Sequence, residues 1–112
     1  MKQVILDTSF IITAVKQKVD FFEKIEYDGF EAIIPSQVFR ELRGLGEELA
    51  LKIISKNKFK ILEIEGKDAD EAIVNFAKEN PLAIIATMDR GLIKKVKNSK
   101  MTIKNIKKIE IV

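Results

Sequence analysis

Leu82-Ala83-Ile84-Ile85-Ala86-Thr87 is apolar almost throughout and runs directly into Met88-Asp89. A run of that length behind Asn80-Pro81 reads as a strand buried on both faces, as at the centre of a parallel sheet. Proline disfavours the α conformation in the residue before it, so Asn80 must end the preceding helix. That helix is legible as well. Ala69, Ala72, Ile73, Phe76 and Ala77 form an apolar stripe, and Asp68 and Glu71 stand ahead of them at capping-box spacing.

The same alternation extends outward in both directions. Toward the N-terminus, Lys60–Ile64 reads as a strand with Leu62 and Ile64 on one face. Before it come a helix over Glu47–Ser55, with Leu49, Ile53 and Ile54 inward, and a helix capped by Ser36 that carries Val38, Leu42 and Leu45. Gly44 and Gly46 separate these two helices. Glu31–Ile34 is a strand closed by Pro35, and Phe10–Val15 and Asp20–Ile25 are short helices separated by Lys16-Gln17-Lys18. Lys2–Leu6 reads as a buried strand, with Thr8-Ser9 placed to cap the helix that follows. Toward the C-terminus, Arg90–Val96 makes a last helix and Lys107–Val112 a final short strand. Strands alternating with helices predict an α/β fold, a parallel sheet with helices on both faces. Residues 1–112 read as one domain without linker or repeat.

Composition narrows the chemistry. The chain has no cysteine, which excludes disulfides and thiolate sites, and no histidine, which removes the usual general base, the Ser-His-Asp triad and most zinc sites. Any hydrolysis must rely on carboxylates, lysines, hydroxyls or a metal. No apolar run approaches the roughly 20 residues of a membrane span. A strand pattern that begins by Val4 leaves no room for a signal peptide, so a cytoplasmic protein is expected. The net charge of +3 is unevenly placed. Arg90, Lys94, Lys95, Lys97, Lys100, Lys104, Lys107 and Lys108 follow one another without an acid between them, and the chain before Arg90 is net acidic. An acidic cleft beside a basic segment suits a polyanion.

Four carboxylates stand out. Asp7 and Asp89 each follow a hydrophobic strand, and Glu41 and Asp70 sit on short helices. In a parallel α/β sheet, sites form outside the carboxyl ends of the strands, so acids distant in sequence can converge there. Two unit charges about 5 Å apart repel by roughly 3 kcal/mol at an effective dielectric near 20. A hard divalent cation turns that repulsion into a binding site. Each acid also has a plain structural reading. Asp7 could start a turn, Asp89 could cap Arg90–Val96, Asp70 could favour its helix dipole, and Glu41 could be a solvated residue between Arg40 and Arg43.

Leu6-Asp7-Thr8-Ser9, Arg40-Glu41-Leu42, Asp68-Ala69-Asp70-Glu71-Ala72-Ile73 and Ala86-Thr87-Met88-Asp89-Arg90-Gly91-Leu92 together resemble PIN-domain ribonucleases in order, spacing and context. The resemblance covers nearly the whole chain. It implies a compact α/β fold with a central parallel sheet, commonly of five strands, and cleavage of single-stranded RNA with Mg2+ or Mn2+. It implies that Asp7, Glu41, Asp70 and Asp89 are the metal and catalytic acids, with Ser9 and Thr87 as supporting hydroxyls. Met88 departs from the family, which often has Asn or a small residue there. Arg90, Lys94, Lys95 and Lys97 are candidate contacts to the RNA backbone. In-line attack by water would leave a 3′-hydroxyl and a 5′-phosphate.

Within the family two roles are open. One is a VapC-like toxin restrained by a small antitoxin protein, and the other is a maturation nuclease of ribosomal RNA working in a pre-ribosomal particle. A non-catalytic RNA- or protein-binding module on the same fold is the alternative. A receiver-like domain fits poorly, because the first loop has no acidic pair and no Gly-rich phosphate loop occurs. Phe10, Phe21, Phe22 and Phe39 exceed what the predicted core can hold, so a homodimer is expected.

Overall fold

The computed structural model describes residues 1–105 and 108–112. Its elements alternate as the sequence predicts. β1 (Gln3–Leu6), α1 (Thr8–Lys16), α2 (Phe21–Tyr27), β2 (Glu31–Pro35), α3 (Ser36–Gly44) and α4 (Glu48–Ser55) are followed by β3 (Lys60–Leu62), α5 (Ala69–Glu79), β4 (Ile84–Ala86) and α6 (Arg90–Lys95). Two strands, β5 (Lys100–Lys104) and β6 (Lys108–Ile111), complete the chain.

The strands form one six-stranded sheet in the order β3-β2-β1-β4-β5-β6. Neighbours from β3 to β5 are parallel, and β6 returns antiparallel to β5. The chain therefore leaves β1 toward one edge and comes back beside it in β4. The space above the carboxyl ends of β1 and β4 is the switch point at which such sheets bind ligands. The Asp7 amide donates to the Ala86 carbonyl at 2.9 Å, continuing the ladder up to the first residue of that space.

Period-two alternation divides the strand residues between two cores. Val4, Leu6, Ala32, Ile34, Ile84, Ala86, Met101 and Ile103 face α1 to α4, where Phe10, Phe21, Val38, Leu42 and Ile54 pack on them. Ile5, Ile33, Ala83 and Ile85 face α5 and α6, against Ile73, Phe76, Ala77 and Leu92. Among the described residues, no helix is long and apolar enough to cross a membrane.

Several expectations are corrected. The sheet has a sixth strand beyond the five expected. Lys100–Lys104 alternates as Lys-Met-Thr-Ile-Lys, with Met101 and Ile103 buried, so its lysines belong to a strand and are more than a basic run. The predicted final strand begins at Lys108, and Lys107 lies outside the described residues. Ser36 does not cap α3. It is the first residue of that helix, and its hydroxyl points to Gln37 Oε1 at 3.4 Å. Leu45 and Leu49 are exposed, not inward. Leu45 follows the last residue of α3, and Gly46 takes the left-handed conformation at φ +69°. The Gly46 amide bonds to the Arg43 carbonyl and the Glu47 amide to the Leu42 carbonyl, a Schellman ending that turns Leu45 away from the stripe. Phe10, Phe21 and Phe22 lie within the larger core and Phe39 packs partly against it. These phenylalanines therefore give no ground for a homodimer.

Candidate functional site

Asp7, Glu41, Asp70 and Asp89 line one open cleft of about 330 Å³ together with Thr8, Ser9, Ile12 and Asp68. Asp7 follows β1, Glu41 lies on α3, Asp70 is in the first turn of α5 and Asp89 immediately precedes α6. Each arrives from the segment after a parallel strand, and the sheet topology accounts for the meeting.

Asp7 forms the floor. It is only 6% exposed, and although it precedes α1 its side chain makes no capping bond. Its Oδ2 instead accepts from Thr87 Oγ1 at 2.7 Å and from Ser9 Oγ at 2.8 Å. Each hydroxyl has one proton and spends it on Asp7. Their lone pairs then accept from the strand end opposite, the Met88 amide on Ser9 Oγ at 3.0 Å and the Asp89 amide on Thr87 Oγ1 at 3.0 Å. The predicted supporting hydroxyls thus bolt the end of β1 to the end of β4. Burial pushes the Asp7 carboxyl above its usual range of 3.8, against the pull of the bonds from Thr87, Ser9 and the Thr8 backbone, and Glu41 adds repulsion.

Glu41 is held from two sides. Thr8 Oγ1 donates to Oε1 at 2.7 Å, and the Ala69 amide donates to Oε2 at 2.9 Å. It is therefore not the solvated helix glutamate of its plain reading. Thr8 does not cap α1 as expected, because its hydroxyl proton goes to Glu41.

Asp89 and Asp68 do cap. Asp89 Oδ1 accepts from the Gly91 amide at 2.8 Å and the Leu92 amide at 3.3 Å. Asp68 Oδ1 accepts from the Glu71 amide at 2.9 Å. For Asp89 the structural reading holds while the residue also lines the cleft. Asp70 turns to Lys95, whose Nζ lies 2.8 Å from Oδ2. That hydrogen bond and charge keep the Lys95 ammonium protonated to higher pH than usual, with weaker help from Asp89 and Asp68. Arg90, Lys94 and Lys97 are exposed on and beside α6 and make no ion pair among the described residues.

Two positioning features lie beyond the sequence reading. Gln37 is buried and donates through Nε2 to the Ile64 carbonyl at 2.7 Å and the Gly66 carbonyl at 2.9 Å. It ties the loop that delivers Asp68 and Asp70 to α3. Its signal is its place one turn before Glu41, a polar pair beside the Val38–Leu42 stripe. Gly66 permits the same loop to close, since a Cβ there would meet the Ala72 amide nitrogen at 2.5 Å.

The donor set suits a hard divalent cation: side-chain oxygens only, carboxylate and hydroxyl, with one nearly buried acid, Asp7, that has no ion-pair partner among the described residues. In the present arrangement the acids stand apart. Among the described residues, no three acidic groups are gathered closely enough to hold one ion.

The class that the geometry defines is an α/β sheet with an acid-lined cleft at its switch point. Comparison with known proteins makes the class specific. The family model of the PIN like domain matches residues 4–108, and the chain belongs to that family. Ribonuclease VapC4 of Methanocaldococcus jannaschii is 36% identical over 109 residues, spanning 86% of this chain and 83% of that protein. The rRNA-processing protein fcf1 of Schizosaccharomyces pombe is 32% identical over 101 residues, spanning 84% of this chain but only 53% of that protein. The solved structure of the PIN domain endonuclease Utp24 superposes with a TM-score of 0.85 at 29% identity, over 97% of this chain and 90% of that one.

Proposed function

We propose that the chain is a divalent-cation-dependent endoribonuclease that cuts single-stranded RNA in the cytoplasm. The observation that carries this reading is the placement of Asp7, Glu41, Asp70 and Asp89 around one cleft at the β1/β4 switch point. The names of its relatives, a ribonuclease, an rRNA-processing protein and an endonuclease, support it.

Asp7, Asp89, Asp70 and Glu41 would hold Mg2+ or Mn2+. The cation would supply positive charge for the crowded phosphate and make water acidic enough to attack. The remaining work belongs to the protein. Ser9 and Thr87 fix the Asp7 carboxylate so that it need not reorganise during reaction. Thr8 and the start of α5 fix Glu41. Arg90, Lys94, Lys95 and Lys97 would bind the RNA backbone and align the scissile phosphate. Water oxygen bonds to phosphorus as the P–O3′ bond breaks, leaving a 3′-hydroxyl and a 5′-phosphate.

The relatives support two cellular roles, a toxin component paired with a small antitoxin and a maturation nuclease in a pre-ribosomal particle. Toxicity on expression that Asp7→Asn relieves would favour the toxin. The primary test is cleavage of a single-stranded RNA panel with Mn2+, Mg2+ or EDTA, alongside Asp7→Asn and Asp89→Asn. Metal-dependent cutting by the wild type and a loss of at least about 100-fold in both variants is expected, the size of effect for removing a group that acts on the transition state. Equal residual activity in all three proteins would overturn the reading. RNA binding that is unchanged by EDTA and accompanied by no cutting would favour the non-catalytic module.

A further inference from the structure

Lys95 is the one basic side chain among the described residues that pairs with a carboxylate of the cleft. Its Nζ sits 2.8 Å from Asp70 Oδ2, and its charge also acts on Asp89 and Asp68. Arg90, Lys94 and Lys97, on or next to the same helix, pair with none.

We propose that Lys95 is an internal counterion that holds Asp70 away from the centre of the cleft until a divalent cation enters, and is then released to bind a phosphate of the RNA. The second half rests on the nuclease reading above. The first rests on the geometry of the rim: Asp70 lines the cleft, yet its Oδ2 is paired with Lys95 Nζ at 2.8 Å.

The energetics favour an exchange. The pair is solvent-exposed, at 56% for Lys95 and 35% for Asp70, and ion pairs of that kind hold weakly. A divalent cation carries twice the charge and prefers carboxylate oxygen, so it can take Asp70 at small cost. The side chain type fits as well. Lysine is a compact charge on a flexible stem and can swing from a carboxylate to a phosphate. Arginine would grip a carboxylate through two parallel bonds and leave less readily.

The test is calorimetric titration of Mn2+ into the wild type, Lys95→Met, Asp70→Asn and the double variant. Lys95→Met is expected to tighten Mn2+ binding about two- to fivefold, the range an exposed ion pair allows, and to have less than half that effect when Asp70 is already Asn. In RNA cleavage the same variant is expected to need less Mn2+ for half-maximal rate yet to show a lower kcat. A side chain with a merely structural role would move both parameters in the unfavourable direction. Unchanged or weaker Mn2+ affinity in Lys95→Met would overturn the proposal. Equal tightening in the Asp70→Asn background would overturn it too, because a general field effect would suffice. Calorimetry needs no turnover. A protein that binds Mn2+ as described but cuts no RNA keeps the counterion role and counts against the nuclease reading.

Discussion

The cleft has two walls of different character. The inner wall is the junction of β1 and β4, where Asp7, Ser9 and Thr87 form a closed set of hydrogen bonds in which every hydroxyl proton and two backbone amides are used. The outer rim is built from the first turn of α5 and from α6, where Asp68 and Asp89 cap their helices and Asp70 pairs with an exposed lysine. Asp7 and Thr87 of the inner wall are nearly buried. The rim is wet, and its acids are tied by bonds that water or an ion can replace. If the cleft takes a cation as proposed, this contrast would keep the Asp7 oxygen fixed and let the rim acids adjust to ion and substrate.

Thr87→Val is the strongest way to test the contrast. It keeps the shape of a residue that is fully buried, removes the shortest bond to Asp7 and leaves the Asp89 amide without its acceptor. Outer partners of metal ligands are worth about 10–100-fold in activity or metal affinity, and a loss in that range is expected in kcat. Loss of that part-buried bond should also lower stability in chemical denaturation, by less than the roughly 1–3 kcal/mol of a fully buried donor left unpaired. Wild-type kinetics in Thr87→Val would mean that the inner wall is scaffold only.

Asp7→Asn probes the same wall through stability. The fold raises the pKa of Asp7 above 3.8, so the folded protein holds that proton more tightly than the unfolded chain does. The favourable contribution is complete at pH below 3.8 and is lost as pH rises from there through the raised folded value. In EDTA at neutral pH, Asn at position 7 removes a charge that burial disfavours. Its carbonyl can still accept from Ser9 and Thr87. Melting scans in EDTA should show the variant above the wild type at neutral pH, with the gap closing on acidification. A lower melting temperature for the variant at neutral pH would return Asp7 to a purely structural role.

The inner wall is legible in the sequence and the rim only partly so. Val4-Ile5-Leu6-Asp7 and Ala83–Asp89 declare buried strands that end in acids, and strand order does the rest. The partners of Thr8 and Ser9 are not legible from their local sequence, since a hydroxyl at a helix start is ordinarily a cap and nothing local reveals that Thr8 donates to a carboxylate 33 positions away or that Ser9 accepts from an amide 79 positions away. The Lys95–Asp70 pair spans 25 positions and is hidden for the same reason, because a lysine in a basic run looks like every other lysine. Leu45 obeys helical spacing but lies past the end of α3 at Gly44, because periodicity assumes that the helix continues, and Leu49, in the first turn of α4, is exposed although it shares the spacing of Ile53. Lys100–Lys104 does alternate, but the charge of its lysines masks the pattern.

Asp68→Ala carries the smallest expected effect and sharpens the rim. The residue lines the cleft with the four acids, yet its Oδ1 is spent on the Glu71 amide at the start of α5. Loss of such a cap costs about 0.5–2 kcal/mol. The α5 start also supplies the Ala69 amide that holds Glu41, so fraying there reaches the chemistry only at second hand. Stability should therefore fall by about 1 kcal/mol in urea denaturation. Cleavage should fall by less than it does in Thr87→Val, and Mn2+ should restore much of it by re-ordering the helix start. A drop in kcat matching that of Thr87→Val would place Asp68 among the groups that act on the ion, and the rim would then share the catalytic role of the wall behind it.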